Sequence, residues 1–311
     1  MRNGVNTLLA VESNDAGLAD LVTAWLNESR LPMPTESRIR LEVTDQIPDL
    51  EDSRPCYSQA GVDVWAGEPL DWVHLRWQVA PALARVEAGS PVATVQLTRE
   101  ALADPELLLS TFLMLVVIFV CRRGGMFHLH AGTAVDPAGR GWLLTGNSGS
   151  GKSTTIALLA SRGWEVGTDD VAFLTESDQR AAVVGIRVPI ALRPGGRELL
   201  AKHHGEGVAL TRRKKTGFYA EELGGRWRES VEPEFLLFAE LGNGKTRLTV
   251  MQPTDVMRVL VQSSPWVLFE SIAAQDHLDL LARLSRQARC FRAQLAPDLF
   301  DAPGALADFL P

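Results

Sequence analysis

Gly146-Asn147-Ser148-Gly149-Ser150-Gly151-Lys152-Ser153 is the stretch on which the reading of this chain turns. An apolar run, Gly141-Trp142-Leu143-Leu144-Thr145, leads into it. Thr154 to Ser161 leads out, with Ile156, Leu158 and Leu159 at helical spacing. That is G-x-x-x-x-G-K-S between a strand and a helix, the setting the motif requires. Glycines let the backbone fold tightly enough for successive N–H groups to face phosphate oxygens, and the helix that starts there adds the positive end of its dipole. The sequence therefore predicts a polyphosphate site built from Gly146, Asn147, Ser148, Gly149, Ser150, Gly151, Lys152, Ser153 and Thr154. Lys152 is placed to reach the β- and γ-phosphates, and the Ser153 hydroxyl to sit on Mg2+. Gly163 closes the helix as its C′ residue.

The rest of the composition bounds the setting. At 311 residues, 46% hydrophobic and 22% charged, the chain is that of a globular protein with one large domain or two smaller ones. A net charge of −7 argues against non-specific binding to nucleic acid. Cys56, Cys121 and Cys290 lie far apart with no C-x-x-C, so neither a disulfide framework nor a zinc site is indicated, and a reducing cytoplasm is the expected location. Met1 to Ala10 lacks the basic-plus-apolar pattern of a signal peptide. The most hydrophobic stretch, Leu107 to Cys121, falls short of the about 20 residues of a spanning helix. It also has soluble-helix ends: Asp104 as N-cap, Pro105 at N1, Arg122 and Arg123 in the last turn, and Gly124-Gly125 beyond. It is expected to be a core helix, with no membrane partner.

Residues before about 100 suggest a separate unit, mostly β or mixed. Gly17 to Leu26 has helical spacing, Arg38 to Val43 alternates, and Val62 to Trp65 and Trp72 to Val79 are expected strands. In the last, Val73, Leu75, Trp77 and Val79 share one face, while His74, Arg76 and Gln78 share the other. Farther on, Phe127 to Ala131 alternates with His128 and His130 on one face. Trp164 to Thr168 ends in Asp169-Asp170, and Val183 to Leu192 leads to Arg193-Pro194. Phe235 to Leu241 and Thr246 to Val250 flank Gly242-Asn243-Gly244 as an expected hairpin. Helical patterns follow at Thr254 to Val261 and Gln275 to Ala288, the latter with Leu278, Leu281 and Leu284 on one face, and Cys290 to Leu295 is expected to be a last strand.

Phosphoryl transfer needs a chelated nucleotide, neutralisation of charge on the moving group, and an acceptor for the hydroxyl proton. Asp169 and Asp170 suit two of these roles, one as base and one beside Mg2+. Arg193 is a further candidate to face a phosphate. Arg212-Arg213-Lys214-Lys215-Thr216-Gly217 is either a solvated basic face or a loop that closes over nucleotide phosphates or an acidic acceptor peptide, with Lys214 or Lys215 screening the transition state. His203 and His204 are read as loop residues.

His130-Ala131-Gly132, Gly139-Arg140-Gly141, the phosphate loop from Leu144 to Ser153, and Arg162-Gly163 leading to Asp169-Asp170 together resemble HPr kinase/phosphorylase and its relatives over roughly residues 128 to 174. The resemblance implies an α/β architecture: an HPr-kinase-like (phosphoenolpyruvate-carboxykinase-like) P-loop kinase domain over residues 104–311, preceded by a smaller α/β N-terminal accessory domain over residues 1–103. It implies Mg-ATP as donor and a serine hydroxyl on a protein or peptide as acceptor. Asp169 would be the general base, Asp170 would lie beside the metal, and His130 would assist catalysis. A homo-oligomer is implied by the resemblance alone. The family's later glutamate followed by Arg-Gly on a strand is not evident after Val183, which points to a kinase with weak or no phosphorylase activity. The chain looks closer to the HPr-kinase-like proteins of peptide-modification systems, including lasso-peptide biosynthesis, than to the carbon-catabolite enzyme. Two alternatives stay open: an ATP-gated binding module without phosphoryl transfer, and a small-molecule kinase.

Overall fold

The structure is a computed structural model that describes residues 10–50, 54–59, 61–66, 72–200, 208–210, 215–302 and 304–310. It is mixed α/β with three sheets. The chain contacts divide it into two compact units. One holds the described residues up to Phe127 together with Trp266–His277, and the other holds those of His128–Pro265 and Leu278–Pro311.

The first unit is built on seven strands, β1 (Ala10–Ser13), β2 (Arg38–Val43), β3 (Tyr57–Gln59), β4 (Val62–Trp65), β5 (Trp72–Trp77), β6 (Ala82–Glu87) and β7 (Val92–Leu97), in the order β1-β2-β7-β6-β5-β4-β3. Period-two alternation buries Val73, Leu75 and Trp77 and leaves His74 and Arg76 on the other face, as the sequence predicts. Val79 departs from that pattern and is 56% exposed, because the strand ends at Trp77 and the next residues turn into β6. Helix α1 (Ala16–Glu28) is capped by Asp15, whose Oδ1 accepts from Leu18 N at 3.0 Å.

Helix α2 runs over Pro105–Arg123, with a π-helical stretch at Leu108–Leu113. Asp104 caps it by accepting from Leu107 N at 3.0 Å. By length and composition this helix could cross a membrane. Its apolarity has another use: Phe112, Val116, Val117, Phe119 and Val120 are buried in the first unit, and Phe112 stacks on Trp77 with ring centroids 5.7 Å apart. Where the sequence suggests a boundary at residue 104, the contacts divide the chain after Phe127, because α2 packs on β6 and β7.

The main sheet of the second unit contains β8 (Phe127–Val135), β9 (Gly141–Thr145), β10 (Glu165–Thr168), β11 (Val171–Ser177) and β12 (Arg180–Gly185). With them are β16 (Arg226–Trp227), β17 (Ser230–Val231), β18 (Pro233–Leu241), β19 (Arg247–Val250) and β20 (Arg289–Leu295). Its order is β17-β12-β11-β8-β9-β18-β20-β19, with β10 and β16 attached beside β8. A small sheet of β13 (Ile190–Leu192), β15 (Lys215–Phe218) and β14 (Val208–Leu210), with helix α4 (Pro194–Leu200) following β13, completes the set. The single alternating run expected over Val183 to Leu192 is thus divided between two sheets.

The hairpin expected across Gly242-Asn243-Gly244 does not form. β20 lies between its two arms, parallel to β18 and antiparallel to β19. A parallel partner needs a crossover, and helices α5 (Pro253–Gln262), α6 (Trp266–Phe269) and α7 (Ala274–Gln287) lie along the chain between β19 and β20. In α7, Leu281 and Leu284 are buried while Leu278 is 36% exposed. Beneath helix α3 (Lys152–Ser161), Trp142, Leu144, Phe235, Leu237 and Phe291 form one buried cluster with Ile156 and Leu159, and this seats the phosphate loop on a rigid sheet.

Candidate active site

β9 is buried along its whole length and delivers the chain into the loop, and α3 starts at Lys152. Three glycines with positive φ make the turn, Gly146, Gly149 and Gly151. Gly151 has φ +95°, a left-handed conformation that L side chains rarely adopt. At Gly146 a Cβ would fall 2.5 Å from the Ala239 carbonyl oxygen of the neighbouring β18. Asn147, Ser148 and Gly149 are exposed on the loop, and Ser153 and Thr154 are half-buried in the first helical turn. Lys152 is 6% exposed and folds back over the loop, its Nζ donating to Gly146 O at 2.7 Å and Asn147 O at 3.2 Å. Ser150 Oγ is buried with no hydrogen-bond partner. The loop thus has the glycine geometry, the ammonium and an unspent hydroxyl that suit a polyphosphate.

β8 lies next to β9 and carries the second set of groups. Its Ala131 pairs with Thr145 on one side, and on the other its N donates to Asp170 O at 3.2 Å. One residue earlier, His130 Nδ1 lies 2.7 Å from Asp170 Oδ1, with both side chains partly open to solvent. Asp169 faces the other way. It is only 3% exposed, and its Oδ2 accepts from Ala191 N of β13 at 3.3 Å. The strand that meets Asp169 also carries Arg193 to the loop, placing Nη1 3.8 Å from where a Cβ on Gly149 would be. Sequence proximity alone gives no reason for that approach; it follows from β13 leaving the main sheet.

The two histidines on β8 share a face but not an environment. His128 Nδ1 is sealed off without a partner. Burial, and then the neighbouring His130 charge, push its pKa down to about 4 against an opposing pull from Asp170. His128 is therefore a neutral filler beside Phe173, and His130 is the imidazole that meets a carboxylate.

Ser263 and Ser264 were not visible as site residues in the sequence. Ser263 O accepts from His130 N at 2.8 Å, its hydroxyl contacts that of Thr145, and the Ser264 hydroxyl donates to His128 O. They fix the two strands that carry His130 and the phosphate loop. A Ser-Ser-Pro run after a helix reads only as a helix end, so no local signal marks it. Lys215 opens β15, one residue before Thr216, which pairs with Leu192; Lys214, Arg212, Arg213, His203 and His204 lie outside the described residues. Among the described residues no cluster of three or more His, Cys, Asp or Glu forms a metal cage. Mg2+ carried by phosphates needs only one or two protein ligands, which Ser153 and Asp170 have the chemistry to provide.

No protein-family model matches the chain, and no curated protein does. Among solved structures it is similar to that of the Hpr(Ser) kinase/phosphatase from Coxiella burnetii, at 18% identity over 40% of this chain and 77% of that one, with a TM-score of 0.25. So loose a superposition marks a distant structural similarity and no more.

Proposed function

We propose that this protein is a Mg-ATP-dependent kinase that transfers the γ-phosphoryl group to a hydroxyl, a serine of a small protein or precursor peptide, with weak or no reversal by phosphorolysis. The reading is carried by one observation: β8, the Asp169-Asp170 turn and β13 bring an imidazole–carboxylate pair, a second carboxylate and Arg193 to one flank of the phosphate loop. Mg-ATP, when bound, supplies the phosphoryl group. Lys152 and the loop amides hold the β- and γ-phosphates, Ser153 and Asp170 face Mg2+, and Asp169 accepts the hydroxyl proton. His130 orients the Asp170 carboxylate, and Arg193 offsets charge that develops on the transferred group. Lys214 and Lys215 are assigned to the nucleotide, and a cytoplasmic location and a homo-oligomer belong to the same proposal. A second reading exchanges the two aspartates, favoured by the greater exposure of Asp170.

Intact-mass and 31P measurements on the purified protein with Mg-ATP and Ser-containing peptides or carrier proteins test the proposal. Phosphate should appear on an acceptor and disappear in Lys152→Ala and Asp169→Asn. Tight ATP binding without transfer to peptide, protein or small hydroxyl compounds would overturn it. Turnover surviving in Asp169→Asn but lost in Asp170→Asn would select the exchanged roles.

A further inference from the structure

The phosphate loop has two flanks of opposite chemistry. One holds His130, Asp169, Asp170 and Arg193. On the other, the C-terminal ends of β18 and β20 bring two leucines against Gly151, where a Cβ would fall 3.1 Å from Leu241 Cδ2 and 3.6 Å from Leu295 Cδ1. Leu295 is buried. Leu241 is 70% exposed, more than any other large apolar side chain among the described residues. Its position explains how it comes to be there. Phe235, Leu237 and Ala239 alternate along β18 into the cluster under α3, and Leu241 continues that row as the last residue of the strand, paired with Leu295 and past the end of the β9 pairing, beside the loop.

A nucleoside triphosphate is polar at its transferable end and largely apolar on the face of its base. With the transferable end directed to the carboxylates and Arg193, the nucleoside leaves on the opposite flank, over Gly151. We propose that Leu241 is the seat on which the nucleobase packs, with Leu295 beneath it as support. This inference rests on the phosphate-loop reading above. What sets Leu241 apart from other exposed apolar side chains is its place against Gly151 of the loop.

Calorimetric titration of Mg-ATP and of magnesium with inorganic triphosphate, onto wild type, Leu241→Ser and Leu241→Met, tests it with a readout independent of turnover. Leu241→Ser should weaken ATP roughly tenfold, the scale of one apolar contact on a ring, and leave the triphosphate Kd unchanged. Leu241→Met should restore most of the loss. Equal weakening of both ligands, or ATP binding unaffected by Leu241→Ser, overturns the seat while leaving the phosphate site standing. If neither ligand binds wild type, the phosphate-site reading fails first and the seat falls with it.

Discussion

His130 Nδ1 and Asp170 Oδ1 are 2.7 Å apart, although one belongs to a strand and the other to the turn after its neighbour. The separation is set by the Ala131–Asp170 backbone bond, so the pair is held by the sheet and not by side-chain reach. Replacing His130 with Ala should lower single-turnover phosphoryl transfer by about 100-fold and change the ATP Kd by less than about threefold. Parallel loss of binding and transfer would reduce His130 to a structural residue.

Gly146 faces the β18 backbone too closely for any side chain. Gly146→Ala must push the loop away from Ala239, at a cost of about 1–3 kcal/mol. A fall of several degrees in Tm together with loss of triphosphate binding is the expected result. An unchanged melt would mean that the loop shifts freely.

In the first unit, Glu270 is buried between two guanidiniums. Its Oε2 contacts Arg122 Nε and lies 3.2 Å from Arg123 Nη1, while its Oε1 accepts from Ile272 N at 3.0 Å. Arg122 also meets His277 Nδ1 at 2.7 Å, and burial pulls its pKa down while Glu270 holds it up. Glu270→Ala would strand buried charge and cost about 3–5 kcal/mol. In urea titrations, Arg122→Met combined with Glu270→Ala should recover part of that loss, because one stranded cation is removed along with its partner.

The depressed pKa of His128 makes a signed prediction. Its folded value, about 4, lies below the unfolded value, so acidification protonates the unfolded chain first. The stability contribution is intact above pH 6.5 and is lost as pH falls from there toward 4, by up to about 3 kcal/mol. His128→Asn should flatten that part of the stability–pH curve measured by chemical denaturation. The same slope in wild type and variant would show that another group governs it.

What was legible in the sequence was what is local. The β9–loop–α3 unit announces itself by glycine spacing and a change of period, and Asp169-Asp170 by its position at a strand end. The π-helical stretch in α2 left no mark, but the caps at Asp104 and Pro105 did. The pairing of β18 is not legible, because a glycine turn between two strands suggests a hairpin, and nothing near it shows that β20, some 40 residues on, takes the place. Arg193 was a candidate by its position, and only the departure of β13 into a second sheet explains its approach to Gly149. Glu270 gave no sign either: its partner Arg122 is 148 residues away, and a lone glutamate in an apolar stretch looks ordinary.

The return of Trp266–His277 to the first unit has a consequence for how the protein is made. A ribosome that has released Phe127 has released the sheet and α2, but not the carboxylate that neutralises Arg122. About 150 more residues must emerge first, roughly 10–30 s at ordinary rates of synthesis. Through that interval a nascent chain carries an almost finished N-terminal body whose buried cations await their counterion, while the phosphate loop is already out. A stop codon anywhere between the two segments therefore yields no independent first domain, and an N-terminal fragment ending near residue 127 should be a client of chaperones and proteases.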